Sequence, residues 1–469
     1  MKYVTIPFKM NVVYALLALS FSFLDCKKGD DPVTPVPPVV KPVDPPVYAA
    51  PFANVPATKD VVMYEVNLRG FSKEGNFKGV QNRLDSIKAL GVNVIWLMPI
   101  NPVGQIRSAG GLGSPYAVKN YKEVNPEFGT LEDFRTLVKE AHKRDMAVVI
   151  DWVANHTAWD NPWISNKAWY KQDANGNIII PPNTNWNDVA ALDYNNQDMR
   201  KEMIRSMKYW VLAANIDGFR CDAADFIPYD FWKQAIDTLK TFKDRKLVLL
   251  AEGSRTNHFN AGFQLNYGWD YYKTLKEVFK GTQPDASLFT TSSQEMTNIP
   301  SGSTKLRFTT NHDETAWDDT PVGLFSGKRG SMAAFVLASY MGGSTLLYNG
   351  QEVGSTKKLS FFDRDPIDWT ENPDMVAEYK KLIAFKMGSE AVKEGEIIKV
   401  NSSDLVVFKR VSNNQEVLVI VNTNNSESTF AASSELVNVS WKNAMDNKDF
   451  TLQSSLKLQP YQYYILSKK

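Results

Sequence analysis

Four short stretches of this chain set carboxylates beside histidine, arginine or asparagine: Asp151-Trp-Val-Ala-Asn155-His156, Gly218-Phe-Arg220-Cys-Asp222, Leu250-Ala-Glu252 and Thr310-Asn311-His312-Asp313. Each closes a β-prone apolar run. A single carboxylate after a strand reads as a cap for the next helix. Three of them, Asp222, Glu252 and Asp313, together with Arg220 and two of the chain's only four histidines, exceed what capping explains. Hydrolysis of a glycosidic bond needs such a set. One carboxylate attacks the anomeric carbon, and a second, kept protonated, gives its proton to the leaving oxygen. A third steadies the oxocarbenium-like charge, while His and Arg hold hydroxyls and orient the nucleophile. Metal-dependent hydrolysis is the rival reading. No His-x-His or His-Glu-x-x-His occurs, which argues against a catalytic zinc.

The elements that must position these groups follow from the hydropathy rhythm. Apolar, largely β-branched runs at 61–66, 94–98, 147–153, 218–221, 247–251, 263–265, 306–310 and 345–348 alternate with amphipathic stretches at 80–90, 131–144, 199–213, 231–242, 271–279, 329–340 and 374–387. Strand–helix alternation means parallel pairing, and eight strands predict an α/β fold, a closed (β/α)8 barrel over residues 58–390. An open doubly wound sheet is the alternative, but no Gly-x-Gly-x-x-Gly follows the first strand. The long third connection holds Trp159, Trp163, Trp169, Tyr170 and Trp186 and predicts an inserted subdomain at about 153–190, over one side of the barrel mouth. Beyond residue 391 strands recur without helices, at 405–411, 416–422, 456–458 and 461–466. A C-terminal antiparallel β-sandwich over 391–469 is expected.

Composition narrows the function. The chain has 469 residues, with 53 basic and 52 acidic side chains, so no basic surplus marks a nucleic-acid partner. Cys26 and Cys221 are the only cysteines and make no disulfide framework. Lys2 and Lys9 followed by the apolar Met10–Leu24 read as a secretory segment. With Cys26 and the acidic run behind it, residues 1–26 resemble a lipoprotein signal. That resemblance implies a lipid anchor through Cys26 and an extracytoplasmic, surface-exposed place on an outer membrane. The Pro-rich stretch 27–57 reads as a semi-rigid spacer.

The four stretches, in this order, resemble the signature regions of the α-amylase family of glycoside hydrolases. Ala191-Leu-Asp193, Gly113-Ser-Pro-Tyr116, Asn125-Pro-Glu-Phe-Gly-Thr130 and Tyr348-Asn-Gly-Gln-Glu352 resemble further family regions. The resemblance implies Asp222 as nucleophile, Glu252 as general acid/base and Asp313 as the third carboxylate. Arg220 would bind substrate and keep Asp222 ionised, His156 and His312 would bind hydroxyls, Tyr116 would stack on the sugar, and Asp151 would support the site from behind. It also implies Ca2+ held through Asn155 and Asp193, oxygen ligands of the kind that suit this ion. The implied activity is that of a retaining, endo-acting α-1,4-glucan hydrolase, a monomer acting on starch or maltooligosaccharides. Neopullulanase, cyclomaltodextrinase, oligo-α-1,6-glucosidase and glucanotransferase activities would keep the same acid and nucleophile. A catalytically inactive glucan-binding barrel is the alternative from another class. The chain departs from many α-amylases at Asp225-Phe226, where Lys-His is usual, and this bears on the side of the leaving group.

Overall fold

The computed structural model describes residues 43–468. The expected signal segment, Cys26 and the first part of the spacer lie outside the described residues. Eight parallel strands close into a barrel in chain order: β1 (Val62–Val66), β2 (Val94–Leu97), β3 (Ala147–Trp152), β4 (Gly218–Cys221), β5 (Val248–Ala251), β6 (Leu265–Tyr267), β7 (Thr304–Arg307) and β8 (Ser344–Tyr348), which pairs back with β1. The open-sheet alternative is excluded. Every strand residue except Thr304 is buried, because helices cover the outer face and side chains fill the inside. At the start of β4, Gly218 has φ of 148°, and a Cβ there would lie 1.9 Å from the carbonyl oxygen of Val248. Only glycine lets β4 approach β5 so closely.

The helices lie where the amphipathic pattern places them, with instructive exceptions. The stretch 80–90 is two short helices, Phe77–Gln81 and Leu84–Ala89, separated at Arg83, whose ψ of 6° leaves the helical range. The helix Ala286–Met296 carries Thr291, Ser292 and Ser293 in its middle, so its sequence does not announce it. The helix Leu131–His142 is started by a capping box, in which Thr130 and Asp133 exchange side-chain and backbone hydrogen bonds. In the insertion, His156–Ala158 pairs antiparallel with Val189–Ala191 and ties both ends of the long connection to the mouth of the barrel.

After the helix Glu390–Glu394, six strands form an antiparallel sheet in the order Glu396–Lys399, Val406–Ser412, Gln415–Val421, Tyr463–Lys468, Trp441–Asn443, Asp449–Phe450. Alternation along these strands serves two cores. Val406, Phe408, Val417, Val419 and Val421 join the core of the barrel. Val407, Leu418, Ile420 and Leu466 pack with Phe430, Trp441 and Leu458 on the other face. There the pair Ser428–Ala431 and Ser455–Leu458 forms a small second sheet.

The spacer reading extends too far along the chain. Residues 44–56 are bound to the barrel rather than free. The Tyr48 N–H donates to the carbonyl of Leu212 (2.8 Å), while the carbonyls of Ala49 and Ala50 accept from Arg245 (2.9 Å) and Asn215 (3.0 Å). Phe52 stacks on His142 with centroids 4.4 Å apart, and Asn54 donates to Asp145 (2.8 Å). Prolines interrupt this segment at 45, 46, 51 and 56, but a proline keeps its carbonyl and the residues between keep both backbone groups. Asp145, Asn215 and Arg245 stand just before β3, β4 and β5. The strap therefore crosses the face opposite the catalytic strand ends.

Candidate active site

The ladder of the barrel continues one step past the strand ends and fixes the backbone of the carboxylate residues. The Asp222 N–H donates to the carbonyl of Trp152 (3.0 Å), and the Glu252 N–H to that of Cys221 (2.9 Å). Asp313 lies in the first turn of the helix His312–Trp317, whose start is capped by Asn311 accepting from the Glu314 N–H (2.8 Å). Six of the expected residues, Tyr116, His156, Asp222, Glu252, His312 and Asp313, line one cavity of about 410 Å³.

Arg220 does not line it. Its side chain is fully buried and shared among three carboxylates: Nη1 donates to Asp151 (2.9 Å) and to Oδ1 of Asp222 (2.8 Å), and Nη2 lies 2.8 Å from Oε1 of Glu252. The expectation that Arg220 touches substrate is corrected accordingly. It is a positioning residue that holds the carboxylates from beneath. Asp151 stands behind it, accepting also from the Tyr116 hydroxyl (3.1 Å) and the Trp96 indole (3.3 Å).

Electrostatics divides the labour between the carboxylates. Burial pushes Asp222 up to about 6, with Arg220 pulling it down against Asp151 and Asp313. The cation beside Asp222 thus restrains a rise rather than producing a net lowering. Glu252 is pushed up to about 7, first by burial and then by Asp222 and Asp313, with Arg220 opposing. The order is that required of an ionised nucleophile beside a protonated acid. Oδ1 of Asp222 is occupied by Arg220, which leaves Oδ2 for a substrate carbon. Oε2 of Glu252 accepts from the Ala223 N–H (2.6 Å). Ala223 presents that N–H from the left-handed region (φ 43°, ψ 40°), a conformation that costs a non-glycine residue about 1–2 kcal/mol.

The two histidines differ. His156 is buried and pushed down to about 4, so it is neutral. Burial would also lower His312, but Asp313 and Glu65 outweigh it and push the ring up to about 9. His312 contacts Oε1 of Glu65 through Nδ1 (2.5 Å) and the Tyr116 hydroxyl through Nε2 (2.7 Å), and lies 3.3 Å from Asp313. Tyr116 and His312 are stacked, with centroids 5.4 Å apart at 18°.

Glu65 escapes the motif reading, although a charged residue inside the apolar run Val62-Met-Tyr-Glu-Val66 is itself a signal. Phe226, which the sequence places on the leaving-group side, lines the cavity, as do Trp317 and Phe361, to which the sequence assigns no role. Their use depends on which loops meet.

The catalytic-domain model of the alpha-amylase family matches residues 46–185 and 183–450. The chain belongs to the α-amylase family. It is 25% identical over 465 residues to Alpha-amylase 3 of Dictyoglomus thermophilum, a match covering 82% of this chain and 88% of that one. Among solved structures, an alpha-amylase from Lactobacillus plantarum superposes with a TM-score of 0.79 at 27% identity, covering 87% of this chain and 99% of that one. A maltogenic alpha-amylase from Thermotoga neapolitana gives the same score and identity, covering 88% and 99%. This chain is accordingly a glycoside hydrolase of that family.

At the pair expected to hold calcium, some of the polar atoms already have partners. Oδ1 of Asp193 accepts from the backbone N–H and the side-chain amide of Asn195 (3.0 and 2.9 Å), and the Asn155 amide faces Nδ1 of His156 (3.2 Å). Among the described residues no group of three or more His, Cys, Asp or Glu could hold a metal. An amide oxygen and a carboxylate would supply part of the six to eight oxygens that Ca2+ takes, with carbonyls and water supplying the rest. Ca2+ at Asn155 and Asp193 stays an expectation of the family resemblance, and no step is derived through it.

Proposed function

We propose that this α-amylase-family hydrolase cleaves α-1,4-glucans within the chain and with retention at the anomeric carbon. The observation that supports this reading best is the shared guanidinium: Asp222 and Glu252 each lie 2.8 Å from a different nitrogen of Arg220. Two prongs of one planar fork favour the close carboxylate pair of double displacement, about 5–5.5 Å apart, over the wider pair that admits water directly. Oδ2 of Asp222 attacks C1 while Glu252 passes its proton to the glycosidic oxygen. A glycosyl ester of Asp222 results, and Glu252 then deprotonates the water that hydrolyses it. Asp313, His312, His156 and Tyr116 bind the hydroxyls and face of the sugar under attack. Internal cleavage is supported by two aromatic pairs in the cavity wall, Trp317 with Phe361 and Trp186 with Phe226, which offer faces for further sugar units. The test is NMR of the first product released from maltoheptaose or soluble starch. An α-anomer is expected, and a β-anomer would overturn the reading.

A further inference from the structure

Glu65 stands near the end of β1, fully buried, and has no task in the steps above. Oε1 meets Nδ1 of His312, and Oε2 has no hydrogen-bond partner among the described residues. A carboxylate so placed is costly unless a cation answers it. Two cations act on it, Arg220 and the His312 ring. Arg220 is already taken, since its nitrogens serve Asp151, Asp222 and Glu252. His312, in the helix turn beyond β7, is the partner that Glu65 touches.

The hydrogen bonds around His312 fix how many protons the ring and Glu65 share. Asp151 accepts from three donors, Nη1 of Arg220 (2.9 Å), the Trp96 indole (3.3 Å) and the Tyr116 hydroxyl (3.1 Å). Tyr116 has one proton and gives it to Asp151, so its bond to Nε2 of His312 (2.7 Å) is donated by the ring. The other ring nitrogen, Nδ1, lies 2.5 Å from Oε1 of Glu65. Two bare acceptors would repel each other there, so a second proton lies between them. Glu65 and Asp313, the latter 3.3 Å from Nε2, put negative charge on both sides of the ring and draw that proton onto nitrogen, with Arg220 acting against them. The phenols of Tyr267 and Tyr348 also face Glu65, and burial keeps both neutral.

Resting on the α-glucan reading above, we propose that Glu65 is a positioning residue for the sugar under attack. It keeps His312 an imidazolium, which can only donate, beside the carboxylate of Asp313, which accepts. A sugar hydroxyl seated between the two is held in one orientation, accepting from Nε2 and giving its own proton to Asp313. The same positive charge helps to keep Asp151 ionised behind Tyr116. A neutral ring could turn a lone pair to the hydroxyl instead, and that direction would be lost.

The experiment is NMR of the enzyme carrying nitrogen-15-labelled histidine, as wild type, Glu65→Gln and Glu65→Asp. The chain has only four histidines, so His142→Gln, His156→Gln and His258→Gln identify three signals and leave that of His312. In the wild type at pH 8, His312 is expected to carry protons on both ring nitrogens. Glu65→Gln keeps the shape and loses the charge, and should shift this titration below pH 8, whereas Glu65→Asp should keep the ring doubly protonated. With maltoheptaose, kcat of Glu65→Gln should fall about tenfold at little change in KM, because a charge-assisted hydrogen bond gives way to a neutral one. A wild-type ring that is neutral at pH 8 would overturn the proposal, whichever variants fold. So would a Glu65→Gln ring still doubly protonated there, or an unchanged kcat once that ring is neutral. The ring signals need no substrate, so their failure leaves the α-glucan reading standing. A wild type that releases no sugar from maltoheptaose would overturn that reading instead.

Discussion

Arg220 controls more of the chemistry than any residue that meets the substrate. By serving Asp222 and Glu252 at once, it keeps two buried carboxylates close without letting both rise equally. Asp222 at about 6 and Glu252 at about 7 leave a narrow interval in which the first is ionised and the second protonated. The profile of kcat/KM against pH is therefore expected to be a bell with its maximum between these values. A rate that stays flat to pH 9 would assign the acid elsewhere. The same shift affects stability. The folded pKa of Glu252 lies above its ordinary 4.5, so its contribution is fully present below that value and lost as pH rises through about 7. Glu252→Gln, neutral at every pH, is expected to raise stability at pH 8 by an amount on the order of 1–3 kcal/mol, read as a higher Tm, and to change it little at pH 4. A lower Tm at pH 8 would mean that burial does not penalise this carboxylate.

Elements were legible in proportion to how much one stretch decides alone. The eight strands stand out because parallel strands buried on both faces are written as continuous apolar runs. The helix Gln197–Ala213 stands out because its buried Met199, Met203, Met207 and Trp210 recur at helical spacing. Ala286–Met296 does not, since Ser and Thr hide its period. The strap at 44–56 was hidden by its prolines, which suggest extended chain but do not say whether that chain is bound. Its contacts yield a prediction at this scale. Compared with a chain starting at Val43, one truncated through Pro56 should lose about 1–3 kcal/mol of stability, from its few partly exposed hydrogen bonds and Phe52. Activity below the lower melting point should be kept, because the strap lies across the face away from the site. Equal denaturation midpoints would restore the free-spacer reading.

At the scale of the whole molecule, chemistry and recognition were encoded differently. Asp222, Glu252 and Asp313 could be read because each follows its own strand within a short local pattern, the first two directly and Asp313 in the helix turn beyond β7. Glu65 could not, because its role arises from what the closed barrel brings near it, His312 across from β1. The calcium pair is of this second kind: residue type names Asn155 and Asp193, but the oxygens that would complete the ion's shell are set by the fold. The account rests centrally on Asp222 as the group that bonds to sugar and Glu252 as the group that moves the proton. Intact mass spectrometry of Glu252→Gln and Asp222→Asn after mixing with a glycosyl fluoride tests this directly. Fluoride leaves with little acid help, so Glu252→Gln should still load Asp222 and then stall for want of a base. A trapped glycosyl adduct on Glu252→Gln and none on Asp222→Asn is the predicted result; an adduct on both would contradict it.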